Sequence, residues 1–167
     1  MSTTVIQKPV SSPFTRKLAA WLLVLFWLGA IAAFSTDTFS AAHTGSILLR
    51  MIHAVYGPIS SHQFEQLHFF IRKTAHFTVY GILGWLAFLA WRNTLPAPRR
   101  WTPGWSGLAM TVVFAAASLD EFHQTFLSSR TGSSRDVMLD LTGALFFQIM
   151  IAVFLRGRGR EREAISH

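Results

Sequence analysis

Residues 18–34, LAAWLLVLFWLGAIAAF, carry no charge and no proline. A helix that crosses a bilayer needs about 20 mostly apolar residues, so this run reads as a transmembrane span. Arg16 and Lys17 precede it, as basic residues also precede a signal peptide. The apolar run is too long for an h-region, however, and the Ser35-Thr36-Asp37 exit has no small-x-small cleavage site. An uncleaved helix is therefore expected. Working outward, three more apolar segments follow, at residues 74–91, 105–119 with a polar extension, and 137–155. Four such spans in 167 residues leave only short connections and tails, with no room for a separate soluble domain.

Composition agrees with this reading. The chain is 51% apolar and 14% charged, contains no cysteine, and has a mean hydropathy of +0.36. Disulfide staples, thiolate metal sites and a cysteine nucleophile are excluded. The formal net charge of +7 first suggests topology and contact with anionic lipid, and only then a nucleic-acid partner. Lys8, Arg16 and Lys17 lie before the first span, Arg92, Arg99 and Arg100 after the second, and Arg156, Arg158, Arg160 and Arg162 after the fourth. With four spans these clusters share one side, and the positive-inside rule makes it cytoplasmic. The basic 156–162 stretch follows a span directly, so an inner-leaflet anchor is preferred over nucleic-acid binding.

The expected architecture is all-α: an integral membrane bundle of four transmembrane helices with both termini cytoplasmic. It divides into an N-terminal tail at 1–16, a transmembrane domain at 17–155 and a basic tail at 156–167. Pro96, Pro98 and Pro103 break the chain between the second and third spans. The first outer connection, 35–72, is too long for a structureless loop. Ile47, Leu48, Met51, Ile52 and Val55 fall at helical spacing within it, which predicts an amphipathic helix lying in the outer interface. Ser60 or Ser61 then caps a helix that continues into the second span, with Glu65 reaching back in capping-box fashion. Gly81, Gly84 and Gly143 are expected to permit close helix contact.

Function is sought where the spans stop being apolar, because polar groups in a membrane usually face a bundle interior or a water-filled cavity. Lys73, His76 and Tyr80 share one face of the second span. Asp120, Glu121, His123 and Gln124 close the third, and Asp136 and Asp140 open the fourth. At about 1.5 Å per residue, His76, Asp120, Glu121 and Asp140 all lie about 22 to 24 Å above the cytoplasmic ends of their spans. A polar pocket just below the outer surface is expected. Asp120 and Glu121 point about 100° apart, so Asp120 is expected inward, with Lys73 as a partner, and Glu121 paired with Arg130 or Arg135. Ser134 reads as a cap of the fourth helix, whose N-terminus itself favours an anion. His43, His53, His62 and His68 show no metal-ligand pattern.

Lys73-x-x-His76-Phe77-x-x-Tyr80-x-x-x-Gly84, Asp120-Glu121-x-His123-Gln124, Arg130, and Asp136-x-x-x-Asp140-x-x-Gly143 occur in this order. This set resembles the motifs of the VanZ-like membrane proteins, with Asp140 standing where that family commonly has Asn. The family is named for a protein that gives low-level resistance to the glycopeptide teicoplanin, so the resemblance implies a cell-envelope role in the bacterial cytoplasmic membrane. Two function classes stand side by side. In the first, Lys73, Tyr80, Gln124, Arg130, Arg135, Asp136 and Asp140 bind a lipid-linked or lipophilic envelope ligand, of which teicoplanin is an example. In the second, His76 or His123 acts as acid or base with Asp120 or Glu121 orienting it, in an intramembrane hydrolase or transferase. A divalent metal through His76, Asp120, His123 and Asp140 is a variant of the second, without diagnostic ligand spacing. A purely structural ion-pair network joining three helices is the alternative to both.

Overall fold

A computed structural model of the chain describes residues 12–36, 41–96, 101–126 and 133–165. Five helices are found among them, and no strand: α1 (Pro13–Phe34), α2 (Ala41–Tyr56), α3 (Ser61–Thr94), α4 (Pro103–Gln124) and α5 (Ser134–Ile165). Their ends follow local chemistry. Ser12 caps α1 by accepting from the Thr15 N–H at 3.1 Å, and Pro13 occupies the first helical position, where no N–H is needed. Pro103 likewise opens α4, without a side-chain cap from Thr102. A helix does form between the first two apolar segments, as α2.

α3 begins earlier than its apolar segment. Ser60 accepts from Gln63 N–H at 3.3 Å, and the Gln63 side chain accepts the Ser60 N–H at 3.1 Å, completing a capping box. The return partner is thus Gln63 rather than Glu65, because the box joins the cap to the third helical residue. The 34 residues of α3 extend for about 51 Å, well beyond the roughly 30 Å of a hydrocarbon core.

α3 is the central element: it contacts each of the other four helices, and its most extensive interface is with α5. Small residues set that approach. Gly84 faces Ala144, Gly81 faces the Phe147 ring, and a Cβ at Gly143 would collide with the Phe77 carbonyl in the α3 backbone. α1 is fastened to α3 by Trp27, whose indole N–H donates to the Val79 carbonyl at 3.0 Å, and by Trp21, which donates to Thr94 at 3.0 Å. On α4 the buried positions Trp105, Ala109, Val113, Ala117 and Glu121 recur every four residues, so one stripe of the helix turns inward. Val24, Tyr80, Leu83, Val113, Ala117 and Ala144 meet in the core.

The outside of this bundle is apolar: Leu25, Phe26, Phe114, Leu119, Phe146, Ile149, Val153 and Phe154 are all exposed. Contiguous exposed apolar surface of this kind is a membrane or partner surface, since water would not tolerate it. α1, α3 and residues Ser134–Gly157 of α5 are long and apolar enough to cross a bilayer, consistent with a membrane protein. α4 has the same 22 residues as α1 but is diluted by Ser106, Thr111, Ser118 and Asp120.

Candidate functional site

Helical periodicity brings Lys73, His76 and Tyr80 onto one stripe of α3. α5 lies against that stripe and supplies Asp136 and Asp140, one turn apart. The result is a ladder of two rungs. Lys73 pairs with Asp136, and His76 Nδ1 lies 3.3 Å from Asp140 Oδ1. Lys73 therefore does not bind Asp120, because the close approach of α5 at Gly143 presents Asp136 to it first. Tyr80 donates its hydroxyl to Asp120 Oδ2 at 3.1 Å, and Gln124 donates to the same oxygen at 3.0 Å. The Tyr80 ring also stacks on His76, with centroids 6.1 Å apart.

Asp120 and Glu121 both turn inward, toward different partners. Glu121 is only 6% exposed, and its Oε2 accepts the Ser133 backbone N–H at 2.6 Å. It thus closes the start of α5, where free N–H groups and the helix dipole favour a carboxylate. The expected pairing of Glu121 with Arg135 is not found: Arg135 is exposed, and a backbone donor lies nearer. Arg130 lies outside the described residues. Ser134 does not cap α5 either; Ser133 precedes it, and the Ser133 Oγ accepts from Arg135 N–H at 3.2 Å.

His123 is exposed and stays out of the cluster. At about 100° per residue, 120, 121 and 124 centre on one direction, and 123 points roughly 110° away from it. The suggested metal set of His76, Asp120, His123 and Asp140 is thereby broken up. Among the described residues no group of three or more His, Asp or Glu side chains is placed to hold a metal ion. Two carboxylate oxygens in the cluster, Asp140 Oδ2 and Glu121 Oε1, are buried and have no hydrogen-bond partner. Such atoms are costly to bury.

Beside this cluster, on the α1 and α2 side of α3, is a cavity of about 510 Å³. Ile31, Phe34, Leu48, Ile71, Ala75 and Val79 give it apolar walls, and Ser35, His68, Arg72, His76, Tyr80 and Asp120 supply polar groups. His76 stands between the two halves of the site, with one edge in the cavity and Nδ1 on Asp140. Asp136, Asp140, Glu121 and Gln124 are not among the cavity-lining residues; of these, Asp140 contacts the lining His76 and Gln124 the lining Asp120.

Beyond His68, which lines the cavity, three contributors to the site or its packing were not anticipated. Ser35 ends α1, is 4% exposed, and its hydroxyl has no partner. Arg72 reads locally as an anchor at a helix turn. Gln148, deep in α5, donates to the Gly84 carbonyl at 2.8 Å, and a lone amide in an apolar run was signal enough to find it.

Residues 18–156 match the family model described as VanZ/LLP1. No curated protein and no solved structure matches the chain.

Proposed function

Because the chain belongs to the VanZ/LLP1 family, we propose that it is a four-span protein of the bacterial cytoplasmic membrane that binds or processes a lipid-linked or lipophilic envelope ligand. The observation that carries this reading is the cavity, with apolar walls that suit an alkyl chain and Arg72, His76, Tyr80 and Asp120 gathered for a polar head. Its volume falls within the roughly 300 to 1,000 Å³ typical of small-molecule sites. In this reading residues 17–155 form the membrane domain, α2 lies in the outer interface, and both tails, 1–16 and 156–167, are cytoplasmic. The cavity then opens toward the outer leaflet.

Topology is directly testable because the chain has no cysteine of its own. A single cysteine at position 97 should resist a membrane-impermeant thiol reagent in intact cells and react after permeabilisation, whereas one at position 62 should react from outside. Labelling of position 97 in intact cells would overturn the orientation.

Expression in a glycopeptide-sensitive host tests the ligand class. Protection should be several-fold against teicoplanin, which carries a lipid tail, and absent against a glycopeptide without one. His76→Ala should remove it. Equal protection against both drugs, or none against either, sinks this reading.

A specific contact favours the second reading, an intramembrane hydrolase or transferase. In the tautomer whose Nδ1 proton faces Asp140, the Nε2 of His76 is left as an acceptor. A histidine held by a carboxylate through one nitrogen is arranged for acid or base work at the other.

A further inference from the structure

We propose that the cavity selects an amphiphile bearing a primary ammonium group, held by Ser35, His76 and Asp120. This deepens the reading of the cavity as a ligand site and rests on it. A primary ammonium has three N–H donors and no acceptor, and the cavity gathers three acceptors from three helices. The first is the Ser35 hydroxyl, buried and without a partner. A buried hydroxyl left unsatisfied is unfavourable, and a donor arriving in the cavity would satisfy it. The second is Nε2 of His76, which accepts in the tautomer whose Nδ1 proton faces Asp140. The third is the Asp120 carboxylate, which Tyr80 and Gln124 orient by donating to Oδ2.

The field at this end of the cavity has the matching sign. Ser35 is the C-cap of α1, where the carbonyl end of the helix dipole favours a cation. Asp140 stands behind His76, and Glu121 follows Asp120 on α4. Lys73 is engaged by Asp136 and so does not neutralise them. The apolar residues Ile31, Phe34 and Val79 continue the same wall and would cover the alkyl chain. An anionic head would turn instead to Arg72, one turn nearer the start of α3, and that alternative is an outcome of the test.

The full chain is reconstituted in phosphatidylcholine nanodiscs, whose quaternary ammonium groups have no N–H to donate. Its thermal midpoint is measured with dodecylamine, 1-dodecanol and dodecyl phosphate at equal mole fraction in the bilayer. Ligand bound only by the folded state raises the midpoint by mass action. Dodecylamine should bind at least about tenfold more tightly than dodecanol, since charge-assisted hydrogen bonds are the stronger ones. Asp120→Asn should remove that preference while dodecanol binding persists. Ser35→Ala should weaken it, and serves alone if Asp120→Asn does not fold. A stronger effect of dodecyl phosphate, or an amine preference unchanged in the variants, overturns the proposal. Equal stabilisation by all three probes leaves the cavity a ligand site and rejects ammonium selection; no stabilisation by any rejects both.

Discussion

Gly143→Val should leave little folded protein. A Cβ at this position meets the Phe77 carbonyl carbon and oxygen, which belong to the backbone of α3 and cannot rotate aside. Overpacking against side chains costs about 1 to 3 kcal/mol and occasionally more; against a helix backbone the upper end applies, because the whole of α3 must move. Both rungs, Lys73 with Asp136 and His76 with Asp140, depend on that spacing. The expected result is loss of the monodisperse species in detergent, or a thermal midpoint lowered by many degrees. Gly107→Ala is the control, since nothing lies within 4 Å of a Cβ there and alanine is the better helix former. Gly81→Ala should fall between them, because its obstacle is the ring of Phe147, a side chain that can turn. A Gly143→Val protein as stable as the parent would mean that α3 and α5 do not approach as described.

The second large effect separates stability from function at the His76–Asp140 pair. Asp140 is 1% exposed, and one of its oxygens already has no partner. His76→Leu removes the partner of the other and should destabilise the protein by about 1 to 3 kcal/mol, the cost of leaving a buried acceptor unsatisfied. Adding Asp140→Leu removes the stranded carboxylate, and the double variant should recover most of that loss. Chemical denaturation in mild detergent reads both. Protection against teicoplanin should be absent from the single and the double variant alike. If the double variant regained it along with stability, the pair would be a structural device and the site would lie elsewhere.

Much of the architecture was legible in the chain. Long apolar runs with at most one charge identify helices suited to a membrane, and the 47–55 spacing predicted α2. The site was legible as a set of residue types at one depth, because Lys73, His76 and Tyr80 had to share a face whatever they met. Their partners were not. Asp136 took the place expected for Asp120, Glu121 found a backbone N–H in place of an arginine, and His123 dropped out. Ser35 went unread because a serine ending an apolar helix is locally ordinary; only the α3 residues opposite it make it part of a cavity.

The sequence by itself determined the family, the helical class, and which side chains each helix turns to a common side. These follow from periods of a few residues and from the cost of placing charge among lipid, both local properties. Tertiary structure alone decided which polar face meets which, and therefore where the cavity lies. The physical reason is that register between helices is set by the closest backbone approach, here Gly143 against Phe77. That contact joins residues far apart in the chain, and no local pattern records it.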